Sequence, residues 1–179
     1  MKNLCRDILH YLLNHIIIHI PFWFIRRLVY RISGMSIGSK SIILMGTKVY
    51  NPWKIQIGNN VYINENCILD GRGGLVIKDN ASISMYTKII TGSHSTSSDT
   101  FEYIAKQTII ESNVWTGVAS IVLPGVILPK GVILAAGSVA IPSKPYEEKK
   151  IYSGVPEVEV GTRKCNADYE LGEWKPFLR

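Results

Sequence analysis

Four histidines stand in this chain of 179 residues, and they fall into two unequal groups. His10, His15 and His19 share the N-terminal stretch, whereas His94 stands apart in the polar run Thr91-Gly92-Ser93-His94-Ser95. A neutral imidazole can take the proton of an attacking hydroxyl, so a lone loop histidine is a candidate general base. A solvated surface histidine is the plainer reading of the same residue. Carboxylates that could orient such an imidazole are Asp70 and Asp99, with Glu102 behind them. Asp70 also reads as an ordinary turn residue serving Gly71. A zinc centre of three imidazoles is poorly served, because only His15 and His19 share a helical spacing and no third ligand stands near His94. The cysteines Cys5, Cys67 and Cys165 are odd in number and form no CxxC pair, so neither a disulfide framework nor a metal site is expected. No glycine-rich phosphate loop, nucleophile elbow or redox pair occurs.

The scaffold that must hold these groups is written as a six-residue rhythm from Ile37 to about Pro145. Ile37, Ile43 and Val49 begin it, followed by Ile57, Ile63 and Leu69, then Ile77, Ile83 and Ile89. After an interruption it resumes at Ile110, Thr116, Val122, Leu128 and Leu134, where only Thr116 is not aliphatic. Four residues past each of these stands a mostly small side chain, Ser41, Thr47, Val61 and Cys67 among them, with Trp53 the large exception. Such a pattern predicts an all-β solenoid, a parallel β-helix in which each six-residue unit forms one side and one corner of a triangular coil. Aliphatic residues fill the interior, and Gly, Asn and Asp turn the corners, as at Gly58-Asn59-Asn60 and Lys78-Asp79-Asn80. The starts at Ile37, Ile57 and Ile77 give early coils of twenty residues, against eighteen from Ile110 to Leu128. Residues 91–108 carry no repeat and form an excursion loop, which on a rigid solenoid tends to be functional.

Three segments follow: a helical one at 1–33, the β-helix at 34–145 and an irregular tail at 146–179. Leu4, Ile8, Leu12, Ile16 and Ile20 have helical spacing, and Pro21 should end or kink that helix. The apolar run 16–25 is too short to span a bilayer. It predicts either a helical cap on the open end of the solenoid or, through residues 16–31, a peripheral contact with a membrane interface. The formal net charge of +6 favours an anionic partner, but scattered basic residues without a recognition motif argue against nucleic acid. The start of the chain lacks the features of a secretory signal, so a cytoplasmic location, peripheral to the membrane's inner face in the second reading, is the expectation.

The runs Ser112-Asn113-Val114-Trp115-Thr116-Gly117, Val122-Leu123-Pro124-Gly125-Val126, Ala135-Ala136-Gly137-Ser138-Val139 and Ser153-Gly154-Val155-Pro156 resemble the hexapeptide-repeat acyltransferases in order and spacing. The His94 loop, Asp70-Gly71 and the tail Tyr169 to Leu178 look more narrowly like bacterial sugar O-acetyltransferases of polysaccharide synthesis. This resemblance implies a left-handed β-helix, a homotrimer, and acetyl-CoA bound as acyl donor in a groove between subunits. It implies His94 as general base, with Asn64, Asp70 and Asp99 toward a saccharide, sugar-nucleotide or lipid-linked acceptor. Cofactor contacts would come from Trp115, Gly117, Val118, Ala136, Gly137 and Ile141, with Lys144 and Arg163 toward the CoA phosphates. Trp115 also reads as coil packing, and Asn64 as an ordinary corner residue. The chain departs from the family where Ile141-Pro142 replaces a Thr-Lys pair and Pro156-Glu157-Val158 replaces Pro-Ala-Lys, which removes a phosphate-binding cation. N-acetylation of an amino sugar and a non-catalytic binding subunit are the rival readings.

Overall fold

The structure, a computed structural model, describes residues 2–143 and 145–172, with side chains from Leu4 onward. Helix α1 (Lys2–His15) and helix α2 (Trp23–Ile32) precede a parallel β-helix with three faces. One face stacks the strands Ser36–Ile37, Ile55–Ile57, Leu75–Ile77, Thr108–Ile110 and Ile127–Leu128. A second stacks Ile42–Ile43, Tyr62–Ile63, Ser82–Ile83, Trp115–Thr116 and Ile133–Leu134, and is extended by the antiparallel pair Lys150–Gly154 and Glu157–Thr162. The third stacks Lys48–Tyr50, Ile68–Asp70, Lys88–Ile89, Ile121–Val122 and Val139–Ala140.

The register is the one the aliphatic spacing demands. Ile37 pairs with Ile57 and Ile57 with Ile77, while across the excursion Ile77 pairs with Ile110, and Ile110 with Leu128. Each column of like residues lies fully inside, so every coil buries one aliphatic side chain per face on the coil below. Thr116 breaks the aliphatic rule without leaving its hydroxyl orphaned, since it lies 3.3 Å from the buried Thr87 hydroxyl. Cys67 is buried in the same way, and burial raises its thiol pKa to about 12, as befits a packing residue.

The N-terminal helices close the first coil. A terminal strand edge presents unpaired backbone groups, and here side chains replace the missing strand. Asn14 accepts from the Val49 amide at 2.7 Å and donates to the Val49 carbonyl at 2.8 Å. Arg26 donates to the carbonyls of Ile20 and Ile43, while Arg27 and Arg31 reach those of Gly38 and Ile37. Trp53, the large residue at a small-residue position, lies outside the coil in a short turn and stacks on His10 at 5.8 Å. It docks α1 onto the solenoid, which is why the size rule lapses there. The two readings of the N-terminal segment therefore bear on different sides of it: the inner faces cap the coil, and the outer faces are left to solvent.

Candidate functional site

Stacked coils stack their corners too, and the candidate residues sort by corner. Between the second and third faces runs one column of corners at 44–46, 64–66, 84–86, 117–119 and 135–137, each linked to the next by backbone hydrogen bonds such as Tyr86 N–H to Glu65 C=O and Gly137 N–H to Val118 C=O. Asn64, Gly117, Val118, Ala136 and Gly137 lie here, with Trp115 just before it. Gly117 is needed for the stacking itself, because a Cβ there would come within 2.4 Å of the Ala136 nitrogen. The Trp115 indole N–H donates to the Ser84 hydroxyl at 3.0 Å, and the ring remains half-exposed. The Asn64 side-chain oxygen caps the Glu65 amide at 2.8 Å, a corner role.

The next column, after the third face, holds Asp70, the excursion with His94, Leu123-Pro124 and Ile141-Pro142. Asp70 and Asn64, both read as acceptor-side residues, stand at opposite ends of the third face. Their side chains bond separate partners, Asn64 the Glu65 amide and Asp70 the groups of Arg72 and Thr91. Arg163 belongs to neither column; its guanidinium donates to the carbonyls of Asn113 and Gly131 and to the Tyr169 hydroxyl, and so pins the tail to the coil. Lys144 lies outside the described residues, as does the tail from residue 173 on.

The His94 site is built by the excursion. Its strands Gly92–His94 and Tyr103–Ala105 pair antiparallel, with His94 opposite Tyr103. Phe101 adopts a positive φ of 51°, which turns its carbonyl to His94 Nδ1 at 2.9 Å. A carbonyl only accepts, so Nδ1 carries a proton, and in the neutral imidazole Nε2 keeps its lone pair. The ring stacks on Phe101 at 4.1 Å and meets the Tyr103 edge at 5.6 Å. Beside it opens a hollow of about 210 Å³ lined by Ser93, His94, Ile104, Lys106, Leu123, Pro124 and Pro142. The imidazole is thus oriented by a backbone carbonyl and not by one of the candidate carboxylates Asp70, Asp99 and Glu102. Asp99 is exposed in the loop.

Asp70 serves the foundation of that loop. Its carboxylate is buried and accepts four bonds of 2.9 Å, from the Arg72 amide, Nε and Nη2 and from the Thr91 amide. Burial opposes its ionisation, but the hydrogen bonds from Arg72 and Thr91 outweigh it and hold the carboxyl below its usual range. Thr91 returns a hydroxyl bond to the Asp70 carbonyl and accepts from the Gly73 amide. Gly73 lets both feet of the excursion lie against the coil, since a Cβ would meet the carbonyls of Thr91 and Lys106 at 2.6 Å. Arg72, half-exposed, lies over the Tyr103 ring at 6.0 Å, so a continuous set of contacts runs Asp70–Arg72–Tyr103–His94. Arg72, Phe101, Tyr103 and Lys106 carry no repeat signal, and only the small residue at Gly73 hinted at crowding.

At Ile141 the backbone is already engaged within the chain. Its amide donates to the Tyr146 hydroxyl at 2.9 Å, and that hydroxyl donates to the buried Glu157 carboxylate at 2.6 Å. Glu157, which stands where the family has Ala, therefore points into the last coil. Val158, at the position of the family's Lys, is exposed. Burial, with the adjacent carboxylate, pushes the Tyr146 phenol well above its usual range. Tyr146→Phe would strand both the carboxylate and the Ile141 amide. It is expected to lower stability by about 1–3 kcal/mol in a thermal melt, and unchanged melting would remove this contact from the account.

No family model matches the chain. An Escherichia coli protein named as a colanic acid biosynthesis acetyltransferase is 28% identical over 120 residues, covering 67% of this chain and 66% of that protein. The chain thus spans just under two thirds of the length of that relative. The dTDP-4-amino-4,6-dideoxy-D-glucose acyltransferase of Escherichia coli is 29% identical, with 64% and 82% coverage. Among solved structures, a hexapeptide-repeat-containing acetyltransferase from Vibrio cholerae superposes with a TM-score of 0.77 at 25% identity, covering 90% of each chain. These likenesses, with the β-solenoid, support a hexapeptide-repeat acyltransferase.

Proposed function

We propose that this hexapeptide-repeat chain transfers an acetyl group from acetyl-CoA to a sugar hydroxyl in surface polysaccharide biosynthesis, with His94 as general base. The observation that carries the reading is the His94–Phe101 hydrogen bond, which fixes the tautomer of the neutral ring so that Nε2 is its basic nitrogen, beside a hollow. In this mechanism Nε2 takes the acceptor hydroxyl proton as the oxygen attacks the thioester carbonyl. The tetrahedral intermediate then collapses, the C–S bond breaks, and the imidazolium returns the proton to the CoA sulfur. The Vibrio cholerae relative is also described as complexed with acetyl coenzyme A, at a TM-score of 0.75 and 25% identity, which supports the donor.

The split of site residues between two corner columns supports a site completed between chains. In a three-fold assembly the Asn64–Val118–Ala136 column of one subunit would face the His94 column of the next. Transfer to an amine is the second reading, and it rests on the likeness to the dTDP-amino sugar acyltransferase. An amine is already nucleophilic and needs the base less, so the two readings diverge in their dependence on His94.

The test is thiol release from acetyl-CoA in the presence of saccharide and amino-sugar acceptors, with mass spectrometry of the products. An added acetyl group on a hydroxyl is the expected result. Acetyl found only on nitrogen would replace the first reading by the second, and no transfer to any acceptor would favour a binding subunit.

A further inference from the structure

The charge of this chain is strongly asymmetric. The first 64 residues hold eight Lys and Arg and a single acid, Asp7, whereas the remainder holds twelve Lys and Arg against thirteen acids. The net charge of +6 therefore divides into +7 at the N-terminal end and −1 over the rest. That same end carries solvent-exposed apolar helix faces. On α1, Leu4, Ile8, Tyr11 and Leu12 recur at helical spacing on the outer side, and Ile16 follows just past its end; on α2, Phe24, Leu28 and Ile32 do the same. These side chains are 41% to 77% exposed, although both helices are fixed to the first coil through their other faces. Among the described residues no helix is long and apolar enough to cross a membrane.

We propose that α1 and α2 form a docking surface for an anionic lipid bilayer, lying in its interface with the outer apolar side chains among the acyl chains. Helices that pair an apolar face with flanking cations bind membranes in this way. Arg6 and Arg31 are exposed on the helices, and Lys40, Lys48 and Lys54 are exposed on the first coil, which the helices cap. Two alternative occupants fit less well. A second copy applied through the same face would set two like-charged ends against each other. Nucleic acid would meet an apolar stripe where a phosphate backbone needs cations. The arrangement places the acetyl-transfer site on a solenoid whose first coil faces the bilayer, but the lipid contact stands independently of that activity.

Flotation of the full chain with vesicles tests the proposal. Vesicles of phosphatidylcholine with about 30% phosphatidylglycerol should retain the protein at about 0.1 M salt, and lose much of it at about 0.5 M, where screening shortens the reach of charge. Pure phosphatidylcholine should retain at least about tenfold less. Phe24→Ser with Leu28→Ser, at exposed positions, should lower retention on the anionic vesicles at least about tenfold while melting and assembly mass stay unchanged. Retention that ignores lipid charge would overturn the proposal, as would no retention at all. A double variant that keeps full vesicle binding, or that changes the assembly mass in light scattering, would assign the face to a different partner.

Discussion

Replacing His94 by alanine is expected to lower acetyl transfer by about 10²–10⁴-fold in kcat/KM, the span a positioned general base contributes. The loss should fall on kcat more than on KM, because Nε2 acts on the proton in flight and not on the binding of acetyl-CoA. The variant should stay folded, since the imidazole is exposed and its contacts, the Phe101 carbonyl and the Phe101 and Tyr103 rings, lie within the excursion itself. A thermal melt close to the unsubstituted protein, with the rate gone, separates catalysis from folding. Near-normal turnover would sink the mechanism. The same variant tests the split site: co-expressed with Val118→Trp, it should yield mixed assemblies more active than either parent. Without such recovery, the two corner columns do not combine across a subunit boundary.

The solenoid was legible because its cause is periodic. Each aliphatic residue from Ile37 to Leu134 meets its counterpart one coil away, so a local pattern encodes long-range pairs. Where a residue left the pattern, the reason lay in contacts that have no period. Trp53 answers to His10 on a helix 43 residues earlier, and Thr116 to the hydroxyl of Thr87. The candidate base was legible from its isolation in a loop, but its orienter was not. Any residue can present a backbone carbonyl, so nothing in the identity of Phe101 announces the bond to Nδ1; the positive φ that aims it emerges only in the folded hairpin. The carboxylates drew attention because their chemistry is visible in a sequence, yet Asp70 spends its oxygens on Arg72 and Thr91. Burial decided that role, and burial at the end of a strand follows from which way the corner turns.

Asp70→Ala is expected to lower stability by about 2–4 kcal/mol, because it leaves the buried Thr91 amide and the Arg72 amide without their acceptor. The Asp70 carboxylate is 1% exposed, so solvent screens it little, while Arg72 at 46% can be rehydrated when its partner goes. Arg72→Ala should cost a similar amount, because it leaves the buried carboxylate without its cation and with only the two amides of Arg72 and Thr91. Asp70→Asn is not a rescue, because an amide offers one acceptor oxygen where four donors converge, and its own N–H groups would face donors. The pH dependence follows from the lowered carboxyl pKa. In the unfolded chain the group takes up a proton near pH 3.9, and in the folded chain only at lower pH. Its stabilisation is therefore complete above the unfolded value and lost as pH falls through the folded one. Acid unfolding curves of the protein and of Asp70→Ala should converge at low pH and stand furthest apart near neutrality. Parallel curves would mean that folding leaves the carboxyl pKa unchanged. Thr91 is the first residue of the excursion, and Arg72 braces Tyr103 against the His94 ring. Loosening this foundation should consequently lower kcat even at temperatures where Asp70→Ala is still folded, which a purely global loss of stability would leave untouched.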